Sequence, residues 1–346
     1  MDYSYEDYEK YNLGPLCKLR DWIPIDKIDW ERLSVNINAI NLLEENIEEK
    51  IDEINWYWLS ANLNAIPLLE RFLDKVEWGA VSDNLNAMHF LENNMSKVMF
   101  DDKMLLVDYC YANISWWSLS SNPSAIHILE KNINKIGWCS LSENPNAIHL
   151  LEQNMNKIDW RWLSRNPNAI HLLQQNMDKI NWYELSMNPN ATNLLEQNMD
   201  KIDWTELSMN PNAIHLLEQN LDKVDWSTLS GNPNAIHILE QNIDKIDWEW
   251  LSCNPNATHI LEQNIDKIDW VSLCDNPGAI NILERFPDKI DWSQLSLNPA
   301  IFEYDWVAMK ERIGLFKEEL VAKQFHPKNM DKFVSWGFEE FEDLEF

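Results

Sequence analysis

The chain has 346 residues, with 57 acidic against 28 basic side chains and a formal net charge of -29, which argues against non-specific attraction to nucleic acid or to an anionic membrane surface. Hydrophobic residues make up 45% and charged residues 25%, ordinary values for a folded chain, while only 7 glycines disfavour a turn-rich sandwich or barrel. Five cysteines, Cys17, Cys110, Cys139, Cys253 and Cys274, are odd in number and lack CxxC or Cys/His spacing, so neither a disulfide framework nor a zinc site is expected and a reducing compartment fits.

In chain order, residues 1–29 read as an N-terminal cap. Their opening, "MDYSYEDYEKYNLGPL", has no basic n-region or apolar h-region, and nowhere do eighteen apolar residues run together; the expectation is an intracellular protein without a membrane anchor. Residues 30–115 hold diverged repeats around Trp30, Trp56, Trp78 and Phe100. One of these units is lengthened by "IEEKIDEINW", and another, "DDKMLLVDYCYANISW", lacks the "LSxNPNA" turn. Residues 116–306 are regular: tryptophans at 116, 138, 160, 182, 204, 226, 248, 270 and 292 follow one another at a fixed spacing of 22. About twelve units are expected, and such a period outranks any domain count based on length.

Within a unit, Asn144-Pro145 predicts the start of a helix of about ten residues, with the Asn side chain capping and proline at the first helical position. At ~100° per residue, Ala147, Ile148, Leu150 and Leu151 share one face of this "Leu helix", and Asn146, His149 and Gln153 the other. "NMNKID" reads as a turn. Asp159 then caps a shorter "Trp helix" whose Trp160 and Leu163 stand at i and i+3 on its inner side. Asp203 with Glu206 has the spacing of a capping box. Helices this short are marginal alone and must stack. The expected class is all-α, a superhelical α-solenoid of about twelve short two-helix repeats with N- and C-terminal caps. A leucine-rich α/β horseshoe has a comparable period but would want continuous backbone pairing where each unit places proline. Stacked at ~8–10 Å per repeat, the units predict a superhelical rod of roughly 100 Å.

Residues 307–346 read as a C-terminal helical cap and acidic tail. "KEELVAKQFHPKNMDKFVSWGFEEF" carries His326-Pro327 at a helix start, and "FEEFEDLEF" is acidic and aromatic. Together, "LSxNPNAIHLLEQNxDKIDWxx", the opening "LRDWIPIDKIDWERLS" and the closing "NPAIFEYDWVAMKERIGLFKEELVAKQFHPKNMDKF" resemble a family of repeat proteins encoded by large DNA viruses of algae and amoebae. The resemblance spans nearly the whole chain and implies a viral protein made in the cytoplasm of an infected host, with packaging in the virion as a second location. It implies no chemistry. The early units depart from it, with "NINA" and "NLNA" in place of "NPNA".

The histidines at 127, 149, 171, 215, 237 and 259 form a series interrupted by Asn193 and Asn281, which favours a solvated ridge over a metal ladder. The "KIDW" tryptophans are expected in the core. The two residues after each of these tryptophans, and the one after each "LS", drift from unit to unit and are expected to line one face. From that face Trp117, Arg161, Trp162, Arg165, Tyr183, Glu184 and Trp250 are the candidate contacts, since exposed Trp and Arg are what interface hot spots favour. No Gly-rich phosphate loop, HExxH or GxSxG motif is present, so no enzyme, cofactor or metal is expected. The reading is a protein-binding scaffold for a host or viral partner of neutral or basic charge, with neither nucleic acid nor membrane as ligand and the oligomeric state open. Two alternatives stand beside it: a structural component of the virion or viral factory, and an acidic mimic that sequesters basic nucleic-acid-binding proteins.

Overall fold

The computed structural model describes residues 16–95, 114–312 and 314. Phe100, Cys110, His326-Pro327 and the acidic tail, with most of the sequence read as the C-terminal cap, lie outside the described residues. Residues 19–302 form one compact unit, and residues 1–18 with 303–346 a second. In the second, Lys18 pairs with Glu303 at 3.2 Å and the Asp305 N–H donates to the Leu16 carbonyl at 2.8 Å. Strands β1 (Cys17–Leu19) and β2 (Phe302–Tyr304) pair as a two-stranded sheet.

The larger unit is the all-α repeat solenoid, and one repeat shows its logic. The Trp helix spans Trp160–Arg165. A turn leads to the Leu helix, Ile170–Gln175, then to a single 3-10 turn, Met177–Lys179, and an extended link to the next Trp helix, Trp182–Met187. Asp159 caps its helix as expected, accepting from the N–H groups of Arg161 and Trp162. The leucines are buried as expected, with Leu151 and Leu163 fully enclosed; at roughly 1.5–3 kcal/mol for each fully buried leucine, this packing is what short helices lack in isolation.

Two local expectations are corrected. The Leu helix does not begin at Asn-Pro and is not ten residues long: in the unit of Asn144 it spans Ile148–Glu152. The residue before a proline is pushed out of the helical region, and Asn144 is extended, at φ -70 and ψ 116. Its side chain caps only a turn, accepting the Asn146 N–H at 2.9 Å. Nor does the Asp203–Glu206 pair need a reciprocal box, because the Asp203 N–H donates instead to Ser186 Oγ of the preceding repeat at 3.0 Å.

That serine belongs to a polar spine. The Ser of "LS" donates to the carbonyl of its own Trp, as Ser142 Oγ does to Trp138 at 2.7 Å, and accepts the backbone N–H of the next cap, here Asp159 at 3.0 Å. The Asn of "NP" is buried. Its Nδ2 donates to two carbonyls of the preceding repeat, as Asn188 does to Ser164 at 2.9 Å and Asn166 at 3.0 Å. Buried polar groups are tolerated when every donor and acceptor is answered, and here the partners come from the neighbouring repeat, so the spine sets register as well as stacking. Asparagines 36, 62, 84, 122, 144, 166, 188, 210, 232, 254, 276 and 298 make twelve steps of it. The spine passes directly from Asn84 to Asn122, whose Nδ2 donates to the Ser82 carbonyl at 3.0 Å.

The expectation of a rod is also corrected. In the first repeat, Asn36 Nδ2 donates to the carbonyls of Ser296 at 3.1 Å and Asn298 at 3.0 Å. The Asp29 N–H reaches Ser296 Oγ at 2.9 Å, and Asn38 Nδ2 reaches the Pro299 carbonyl at 3.0 Å. These are the bonds that the regular repeats make to the one before them, as Asn166, Asp159 and Asn168 do. The repeat array of residues 19–302 therefore closes on itself, its first repeat docked on its last. A pocket of about 700 Å³ near this seam is lined by Asp29, Trp30, Glu31, Glu53, Asn55 and Ser293.

Candidate partner-binding wall

In a closed array, neighbour spacing grows in proportion to distance from the centre. Successive Trp helices pack closely on one another, whereas successive Leu helices do not, so the Trp helices form the inner wall. Leu163 and Ser164 turn into the array while Arg161 and Arg165, one helical turn apart, stay exposed. The drifting positions thus lie on the concave side.

The expected contact residues do not all behave alike. Trp117 is 57% exposed, Tyr183 48% and Trp250 42%. Arg161 and Arg165 are exposed and Trp162 is half-buried, with the Arg161 guanidinium over its ring at 5.5 Å. Glu184 corrects the expectation: it is only 3% exposed. Its carboxylate accepts from Arg161 Nε at 2.9 Å, so it anchors the arginine and offers no contact surface of its own. Tyr183 bonds to Glu206, which raises the phenol above its ordinary value. Burial raises the Glu143 carboxyl above its ordinary value, and Arg165 lies close enough to pull it part of the way back. Val271, 55% exposed, stands at one of the drifting positions but was not among the candidate contacts, and Tyr57, 38% exposed, occupies the same position of a diverged unit. Position in the unit is the signal that finds both.

One contact depends on a glycine. A Cβ on Gly231 would lie 2.9 Å from Cε3 of Trp250 in the next repeat, so the indole rests where any larger residue would displace it. Elsewhere on the wall, repeats are stitched side by side: Cys139 donates to Asp159 at 3.4 Å, Ser227 to Asp247 at 2.7 Å and Gln294 to Asp275 at 2.5 Å. Burial, with the neighbouring Asp159, pushes the Cys139 thiol up to about 11.

Charge on the wall is unequal. Arg32, Arg161 and Arg165 are set among Glu31, Asp83, Glu143, Glu184, Glu206, Glu249 and Asp275. Seven of the helix caps, at 29, 159, 203, 225, 247, 269 and 291, are also aspartates.

The "KIDW" tryptophans depart from expectation, since Trp30 is buried but those of the regular repeats are half-buried. The regular rings from Trp116 to Trp248 instead lie beneath the lysine that ends their own repeat, with Lys179 Nζ 4.4 Å from the Trp160 centroid and Lys245 Nζ 4.5 Å from that of Trp226, while Trp270 packs on Phe286 and Trp292 on Trp22. This cation–π contact lets an edge of the indole reach solvent. The histidines form an exposed ridge on the Leu helices, each answering a glutamate of the preceding repeat: His149 to Glu130 at 2.9 Å and His171 to Glu152 at 3.0 Å. Where Asn281 interrupts the series, Arg285 reaches Glu262 at 3.3 Å. Among the described residues no His, Cys, Asp and Glu grouping has the arrangement of a metal site, and no helix is long and apolar enough to cross a membrane.

Comparison with protein-family models, curated proteins and solved structures returns no match.

Proposed function

We propose that the chain is a non-catalytic protein-binding scaffold of a large DNA virus, acting in the host cytoplasm and reading a partner along the drifting positions of its Trp helices. The observation that supports this is the gathering of Trp117, Arg161, Arg165, Tyr183 and Trp250 on the concave wall, three of them large aromatics held out in solvent. Exposed aromatics beside arginine are the composition of interface hot spots, and drifting residues on a fixed frame are how repeat scaffolds vary their specificity. The viral assignment rests on the resemblance of the repeat and end sequences.

The test is affinity capture from the infected host, comparing the wild-type chain with a Trp117→Ala/Arg165→Ala/Tyr183→Ala variant and with a His149→Ala/His171→Ala variant on the outer ridge. Arg161 is left in place because its loss strands the Glu184 carboxylate. A partner kept by the ridge variant and lost by the wall variant, with circular dichroism unchanged, supports the reading. Equal recovery by both refutes it.

A further inference from the structure

We infer that the opening of the closed array receives a Lys/Arg-rich, unfolded segment of a partner protein. This rests on the reading of the wall as a binding surface and narrows it to one chemistry.

The wall's own cations are already answered. Arg161 is held by Glu184 at 2.9 Å, Arg32 lies 3.9 Å from Asp29 and donates to Gln294, and Arg165 faces Glu143. Toward the opening stand carboxylates for which the described residues supply no cation: Glu31, which accepts from Asn55 Nδ2 at 3.2 Å, Glu206, which bonds to Tyr183, and Glu249. They are interleaved with the exposed rings of Trp117, Tyr183 and Trp250. Carboxylates next to open aromatic faces suit a cation on a flexible stem: the charge pairs or sits over a ring, and the methylenes lie along the indole. The repeats already use that geometry internally, with Lys157 Nζ 4.4 Å from the Trp138 centroid.

Size points to a segment rather than a domain. Twelve helices at ~8–10 Å spacing give a wall of ~15–19 Å radius, and removing half a helix diameter of ~5–6 Å leaves an opening ~18–28 Å across. An extended chain or a single helix of ~10–12 Å enters such a space; a folded domain does not. Nucleic acid is disfavoured by the sign of the wall, as is the chain's own acidic "FEEFEDLEF". Because the wall is closed, the segment enters by an end or as a loop, and contacts on several repeats must be released together before it leaves.

The experiment uses the full chain and a fluorescein-labelled, unstructured peptide of alternating Lys/Arg and Gly, read by anisotropy. An isosteric Gln/Gly peptide is the control. Because any chain of net charge -29 attracts polycations weakly, two variants with equal charge change are compared: Glu31→Gln/Glu206→Gln/Glu249→Gln on the wall and Glu152→Gln/Glu196→Gln/Glu240→Gln on the outer ridge. The expected result is at least tenfold weaker binding for the wall variant and under threefold for the ridge variant, with Trp117→Ala/Trp250→Ala also weakening binding. Equal effects of the two charge variants, or no binding of the basic peptide, overturn the inference. If the peptide fails while partner capture still depends on the wall, only the chemistry is wrong; if capture is independent of the wall, the scaffold reading itself falls.

Discussion

Closure of the array makes a quantitative prediction about one side chain. Asn36 and Asn188 each donate twice to the preceding repeat and accept once from their own turn: Asn36 with Ser296, Asn298 and Asn38, and Asn188 with Ser164, Asn166 and Asn190. Both are buried. Replacing either with alanine leaves two carbonyls and one N–H without a partner. At about 1 kcal/mol for each, the loss is about 3 kcal/mol, plus a cavity contribution. In an open stack the first repeat has no predecessor, so Asn36→Ala would cost well under 1 kcal/mol while Asn188→Ala kept its full effect. In the closed array the two costs are equal. Urea unfolding followed by circular dichroism measures both, with the slope checked for constancy so that midpoints report stability. A difference above about 2 kcal/mol between the two variants would falsify closure.

Arg161→Ala should destabilise the chain by about 1–2 kcal/mol, discounted from the cost of a broken buried pair because the arginine itself is exposed; Arg165→Ala should cost under about 0.5 kcal/mol, and Glu184→Gln should restore most of the Arg161→Ala loss in thermal melts. Stability should rise as pH falls from neutrality. Burial raises the carboxyls of Glu77, Asp83 and Glu143 above their ordinary values of 4.5, 3.8 and 4.5, so the folded chain binds more protons than the unfolded one. Their contribution is full below those ordinary values and lost as pH rises through the folded ones; a melting temperature that falls steadily between pH 7 and 5 would contradict this. Cys139 and Cys274, both raised to about 11 mainly by burial, should react with iodoacetamide at pH 7.5 far more slowly in the folded chain than in urea, as read by mass spectrometry.

The sequence made the repeat and the helical class legible because 3.6-residue periodicity and a fixed tryptophan spacing are local signals. The Asp caps and the buried face of the Leu helix followed from the same local chemistry. Closure was not legible, since it depends on a small rotation per repeat that no side chain encodes by itself. The roles of Ser142 and Asn144 were missed for a related reason: their partners lie one repeat away, and a polar residue read alone suggests a cap or solvent. Constant Ser and Asn beside drifting neighbours were the available clue. Glu184 was misplaced because a charged residue at a drifting position reads as exposed until Arg161 of the preceding repeat is seen to cover it.

The docking of the first repeat on the last also bears on how such a gene can change. Near-identical tandem segments expand and contract readily by unequal exchange, and a linear stack absorbs each gain or loss as a change in length. Here a thirteenth segment would have to be fitted into a circle already complete, and an eleventh-segment version would have to bend further at every joint to meet itself. The count is therefore a heritable property guarded by geometry, and variation is steered away from the number of repeats and toward the wall residues within them.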